Sequence, residues 1–324
     1  MINQALLKTV AESEYPDEFL VARLLGKKGG LFRNWEFLVS SSDVVESLRN
    51  MSFYPYVKKF GVPGIWHFLR NEHVWVYSRM NNRLRNYFTP YFAFHEINTL
   101  HICLRYLWCR KTNERIPQEL HHSLLHDDIK ETLQGDHDFI KMLHLLELHL
   151  SAYSQHFTGL VAKYEEKGIS GLEIFIRDSF FASIFSLKQP LLLQRFFHYL
   201  VDFYNCMSVA KWLRWEVKSE PLLISGGSVK HERFKRAFFR KDMTPVLRYL
   251  RVVDPESAAS SPTMLERSLL RHITFKLKTW SFQRTVIADI LFYLWEQYRY
   301  TRNISMLLNT VLLDDEPVRE SIIA

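Results

Sequence analysis

GVPGIWHFLRN, residues 61–71, and GISGLEIFIRD, residues 168–178, align without a gap. The offset of 107 positions pairs Gly61 with Gly168, Gly64 with Gly171, Ile65 with Leu172, Phe68 with Phe175, Leu69 with Ile176 and Arg70 with Arg177. Behind each glycine, apolar residues recur at three- and four-residue intervals: Ile65, Phe68, Leu69 and Val76 in one copy, Leu172, Phe175, Ile176 and Phe180 in the other. That spacing is the mark of a helix with one buried face. An element written twice points to a repeat architecture, which outranks any single motif in deciding the fold.

The repeat continues downstream. At the same offset, HEINTLHICLRYLW (95–108) lies over DFYNCMSVAKWLRW (202–215), pairing Asn98 with Asn205 and Trp108 with Trp215. A weaker third copy follows: MLERSLLRHITFKL (264–277) resembles GLEIFIRDSFFASI (171–184) with a one-residue slip, placing Arg271 near Arg177. YTRNISMLLN (300–309) then supplies Asn303. From arginine to asparagine is 28 residues in the first two copies (70 to 98, 177 to 205) and 32 in the third (271 to 303). A shared string precedes each pair: SSDVVESL, HDDIKETL and RKDMTPVL. Asp43, Asp128 and Asp242 stand where helix N-caps would, and Glu46 and Glu131 complete near capping boxes. Pro245 replaces the glutamate in the third string, within a first helical turn where its missing amide costs little. The expectation is an all-α chain of three helical-bundle units, 1–110, 111–218 and 219–324, that superpose, with little or no β-sheet.

Composition agrees. Only 11 Gly and 11 Pro among 324 residues argue against a turn-rich all-β fold. The longest apolar runs, such as VIADILFYLW (286–295), are too short to span a bilayer and contain Asp289. The N-terminus lacks a signal peptide's apolar stretch, and three cysteines give no paired framework, so a soluble cytosolic chain is expected.

Little in the sequence offers chemistry. KKGG (27–30) and SGGS (225–228) lack the GK[ST] ending of a phosphate loop and read as a turn or helix end. In HHSLLHDD (121–128), His122 and His126 are four apart and could share a helix face as metal ligands, but no further ligand set follows and Asp128 reads as a cap. His144 and His149 read as packed or surface histidines, and Cys103 and Cys109 as small core residues. Asn98, Asn205 and Asn303 read as structural hydrogen-bonders between helices. No catalytic residue, cofactor-binding residue, metal site or small-molecule substrate is assigned.

Charge is the strong asymmetry. Between Gly226 and Arg251 lie Lys230, Arg233, Lys235, Arg236, Arg240, Lys241, Arg248 and Arg251 against Glu232 and Asp242, eight minus two or +6, nearly the chain's formal +7. Three readings fit: a solvated helix face, contact with anionic headgroups or an acidic partner, or nucleic-acid binding, for which Phe234, Phe238 and Phe239 and a pI near 9.2 speak.

The order of these elements resembles the family of central-stalk proteins known as the C subunit in archaeal and bacterial V-type (A-type) ATPases and as the d subunit in the eukaryotic pump. The resemblance covers nearly the whole chain. Ala22 and Arg23, running on to Leu31 and Phe32, look like that family's opening helix; Asp202 and Asn205 match its acidic-x-x-Asn-Leu pattern in acid and asparagine; YTRN (300–303) and PVRESII (317–323) look like its C-terminal motifs. His95 and Tyr300 stand where the family has its acid, and Thr99, Cys206 and Ile304 where it has leucine. A register slipped by three, with Asn98 for the acid and His101 for the asparagine, also fits the first copy.

The resemblance implies three units arranged as a funnel with pseudo-threefold symmetry, on the cytoplasmic side of the membrane as a peripheral, non-catalytic part of the central stalk. Its partners would be the shaft inserted in the funnel and the membrane rotor ring, for proton or sodium transport driven by ATP hydrolysis or the reverse. Lys230, Arg233, Lys235, Arg236, Arg240 and Lys241 are then candidate contacts to the membrane sector or shaft. The alternative is a helical-repeat protein binding nucleic acid through the 226–251 segment.

Overall fold

The computed structural model describes residues 6–11, 13, 15–31, 35–40, 44–109 and 115–313. They form an all-helical chain. In order come α1 (Asp17–Gly29), α2 (Trp35–Ser40), α3 (Val44–Ser47), α4 (Tyr54–Phe60), α5 (Pro63–Arg79), α6 (Asn82–Trp108), α7 (Arg115–Leu120) and α8 (Asp127–Gln134). Then follow α9 (Phe139–Tyr153), α10 (Leu160–Phe185), α11 (Leu191–Arg214), α12 (His231–Arg240), α13 (Thr244–Leu250), α14 (Pro255–Ala259), α15 (Pro262–Ser281) and α16 (Val286–Leu313). Among the described residues the extended pairing is an isolated bridge between Leu7 and Leu125, and no helix is long and apolar enough to cross a membrane.

The glycines of the opening alignment adopt one conformation. α4 ends at Gly61 (φ 66°, ψ −150°), and α10 bends at Gly168 (φ 65°, ψ −165°). This region of backbone space is closed to residues with a Cβ, so each glycine lets one helix end and the next begin at a sharp corner. Three residues on, a Cβ on Gly64 would stand 2.2 Å from the Tyr56 carbonyl oxygen, and one on Gly171 2.2 Å from the Lys167 Cβ. The second glycine therefore lets the two helices touch at the corner. Shifted by 107, α4 (54–60) falls on 161–167, the arm of α10 before its bend, and α6 (82–108) falls on 189–215, against α11 at 191–214. The last long pair, α15 and α16, has 20 and 28 residues beside the 17 and 27 of α5 and α6.

The chain divides into two compact units, Met1–Ser13 with Met80–Lys241, and Glu14–Arg79 with Asp242–Ala324. The first holds α6 to α12. Its core is aromatic: Tyr91 stacks on Phe196 with centroids 5.9 Å apart, and Phe94 meets Phe180 and Phe181. Each such ring, fully buried, contributes on the order of 1.5–3 kcal/mol. Two arginines tie α6 to α10: Arg105 forks onto the Glu173 carboxylate, and Arg177 meets His101 Nδ1 at 3.0 Å while covering the Tyr204 ring. The second unit packs Trp35, Leu38, Phe53 and Ile65 against Tyr300, Ile304, Leu307 and Leu308 of α16. Buried Glu72 accepts there from Lys27 Nζ at 2.7 Å and from the Tyr293 hydroxyl at 2.6 Å.

The expected caps need correction. Asp43 lies outside the described residues. Asp128 is inside the first turn of α8, and the cap is His126, whose extended backbone lets Nδ1 accept from the Asp128 amide. The carboxylates of Asp127 and Asp128 sit instead at the positive end of the helix dipole. Asp242 comes one residue before the cap position of α13, held by Met243, yet its Oδ1 still accepts from the Thr244 amide at 2.8 Å. Side-chain caps are made by Asn81 on α6, Asp138 on α9 and Ser261 on α15.

Candidate functional site

The acid-x-x-Asn pair on α11 is buried in the first unit and faces a loop. Asp202 accepts from the Ser228 amide and the Val229 amide, both at 3.1 Å, and from the Ser228 hydroxyl. Asn205 accepts from the Ile224 amide at 2.7 Å and donates to the Ile224 carbonyl at 2.9 Å. Asp178 Oδ1 takes the Ser225 amide at 2.7 Å. Together they hold the amides of Ile224, Ser225, Ser228 and Val229 in the loop that contains the SGGS turn and leads into α12. Burial pushes the Asp202 carboxyl up, against the hydrogen bonds from Ser228 and Val229.

Asn205 thus bonds a loop rather than another helix. Asn303 is fully buried on α16, whereas Asn98 is half-buried on α6.

The first copy has an equivalent clamp that the helix motif alone does not reveal. His95, aligned with Asp202, packs on the Tyr91 ring. The acid is Glu96, one position along, which accepts from the Ser123 hydroxyl and, at 2.8 Å, from the Leu124 amide. Asp202 reaches 26 and 27 residues ahead to Ser228 and Val229; Glu96 reaches 27 and 28 ahead to Ser123 and Leu124. The sequence signal for it is SLLHDD (123–128) over SVKHER (228–233), which also pairs His126 with His231. It lies in the loop that is held, away from the helix that holds it.

α12, released by this loop, is strongly two-sided. Phe234 and Ala237 are buried, while Lys230, Arg233, Lys235, Arg236, Arg240 and Lys241 are all exposed, so the structure brings these six to one short segment of the first unit. Lys235 pairs with Glu220 at 2.8 Å, and Arg236 Nε donates to the Glu232 carbonyl. Exposed pairs of this kind contribute little, so the face stays strongly positive. Phe239 stands among the cations 67% exposed, an aromatic ring presented to solvent. Arg248 and Arg251 belong to the second unit, where Arg248 pairs with Glu256.

The other repeat positions are dispersed. Arg70 is half-buried on α5; Arg177 is engaged with His101 and Tyr204; Arg271 is exposed on α15. Burial, then Arg177 and Arg105, hold the His101 imidazole well below its ordinary value, so it is neutral at pH 7.

The helix face that His122 and His126 could have shared is not formed. His121 and His122 stack on each other in the turn after α7, and His126 caps α8, so no helix face carries His122 with His126. Among the described residues, no three His, Cys, Asp or Glu side chains come together as a metal site would need. Cys103 is buried as expected, but Cys109 is exposed at the C-cap of α6. His144 is exposed and His149 half-buried on α9.

No family model matches the chain, and no curated protein matches its sequence.

Proposed function

We propose that this chain is a non-catalytic coupling part of a rotary V-type ATPase or ATP synthase, of the kind named the C or d subunit. The observation that carries the reading is the twice-made arrangement of glycine corner, long helix and buried acid. Gly61 and Gly168 turn the chain alike, and Glu96 and Asp202 each clamp the loop that starts the next helix. Such units suit the three-part funnel that the sequence resemblance implies, with Arg271 and Asn303 marking its third part. In this reading the chain sits at the cytoplasmic face of the membrane between shaft and rotor ring, carrying torque for proton or sodium transport. A coupling part needs stiffness, which close-packed aromatic cores and buried clamps supply, and it needs docking faces.

The positive face of α12 is the proposed docking face. Each basic residue near anionic headgroups contributes on the order of 1 kcal/mol, and a positive surface also speeds encounter with an acidic shaft. Reversal of Arg233, Lys235, Arg236 and Arg240 to glutamate should leave the helical circular-dichroism spectrum intact, because all four are exposed. It should weaken binding to the isolated ring or the isolated shaft at low salt, with the difference shrinking at high salt. Unchanged binding to both would make this face a solvated one and remove it from the account. Exposed Phe239 beside the cations favours one competitor, a nucleic-acid-binding helical protein, because bases stack on such rings. Salt-sensitive oligonucleotide binding that the same reversal abolishes, with no affinity for ring or shaft, would favour it.

A further inference from the structure

The second unit holds a concentration of charge that the α12 face does not explain. A cavity of about 430 Å³ opens between the turn after α13 and α15, lined by Arg251, Arg267, Arg271 and Lys276. Asp254 is the sole carboxylate among its described lining residues, and its Oδ1 already accepts from the Ser257 amide at the start of α14. Among the described residues, none of the four cations forms an ion pair. Arg267 has its Nε buried with no acceptor. Burial, and then the neighbouring guanidinium of Arg267, push the Arg271 pKa down, as expected where like charges crowd without a counterion.

Crowded, partly desolvated guanidinium groups around a cavity cost free energy unless an anion comes to them. Arginine's planar fork matches phosphate oxygens two at a time, and lysine adds a point charge. The volume is within the range of small-molecule pockets. The partner arginine in the aligned copy makes the contrast: Arg177 is already held by His101 and Tyr204, whereas Arg271 is left to the cavity.

We infer that this cavity is a binding site for a ligand carrying two or more phosphate groups. Four cations against one engaged carboxylate exceed what a single phosphate monoester would balance. The exposed Phe275 ring at its edge leaves room for an apolar or aromatic remainder of the ligand. The inference stands apart from the coupling role, since it uses neither α12 nor the clamps. The same chemistry could reach the cavity as a soluble polyphosphate or as a polyphosphorylated lipid headgroup.

Calorimetric titration of the full chain with inorganic tripolyphosphate tests it, beside flotation with phosphatidylcholine vesicles with and without phosphatidylinositol bisphosphate. The expected result is saturable binding of about one tripolyphosphate per chain, weakened about tenfold or more, that is about 1.4 kcal/mol or more, in the Arg271→Gln/Lys276→Gln variant. Arg267→Gln should weaken it further, but the first variant changes an exposed and a half-buried residue and leaves the test valid if Arg267→Gln fails to fold. Arg233→Glu/Arg236→Glu on α12 should bind tripolyphosphate as the parent chain does. Binding to the phosphoinositide vesicles alone, lost in the same variant, would support the site and assign the lipid source. Absence of saturable binding to either probe, or equal weakening of tripolyphosphate binding by the α12 variant, would overturn the inference.

Discussion

Asn205 has no water-facing alternative. It is 1% exposed, and both ends of its amide are committed to the Ile224 backbone. Asn205→Ala strands a buried amide and a buried carbonyl, each worth about 1–3 kcal/mol when left unmade. The expected loss is about 2–3 kcal/mol in urea unfolding, with the Ile224 amide exchanging roughly 30-fold faster. Ile224 exchange at the parent rate would contradict the clamp. Asn205 was legible because an asparagine in an apolar helix at a repeated position must bond something. Its partner was not, because a loop backbone carries no residue-type signal. Glu96 escaped for a related reason: a one-residue slip keeps the carboxylate within reach of its loop, since the clamped segment slips as well, while an ungapped alignment loses it.

The glycines at the helix corners stood out in the sequence, although the corners themselves did not. Gly61 and Gly168 stood out by spacing alone, and both occupy backbone space that only glycine enters freely. Gly168→Ala and Gly61→Ala should each cost about 1–3 kcal/mol. Gly26→Ala in α1, where a Cβ meets nothing within 4 Å, should instead be neutral or stabilising by up to about 1 kcal/mol. Thermal melts of the three variants check this, and equal melting temperatures for Gly168→Ala and Gly26→Ala would refute the corner. α12 was likewise legible as a charged segment, and its buried Phe234 and Ala237 explain why it is a helix at all. The caps misled because aspartate, serine and histidine all accept from free amides. In HDDIKETL the extended His126 reaches the amide first, which leaves Asp128 inside the first turn.

Taken entire, the chain stores acid sensitivity in its buried imidazoles. Burial holds His95 near about 3, burial and then Lys276 hold His272 near about 4, and His101 lies well below its ordinary 6.5. These groups are neutral when folded and take up protons once unfolded, so stability is full above about pH 6.5 and falls as pH drops toward 4. A fully buried imidazole such as His101 contributes up to about 1.4 kcal/mol per pH unit in that window. Asp202, raised by burial, acts in the opposite sense at the acid end. The urea midpoint should therefore fall between pH 7 and pH 5, and a midpoint flat over that range would contradict the assignment. All-helical architecture was legible from apolar periodicity. The division into two compact units was not, because each unit joins segments far apart in sequence. The coupling role itself is tested most directly by copurification of the tagged chain from native membranes, with identification of what comes with it. The account predicts the catalytic, shaft and rotor-ring proteins of a V-type ATPase, retained in mild detergent. Recovery of the chain with nucleic acid, or without any ATPase component, would contradict it.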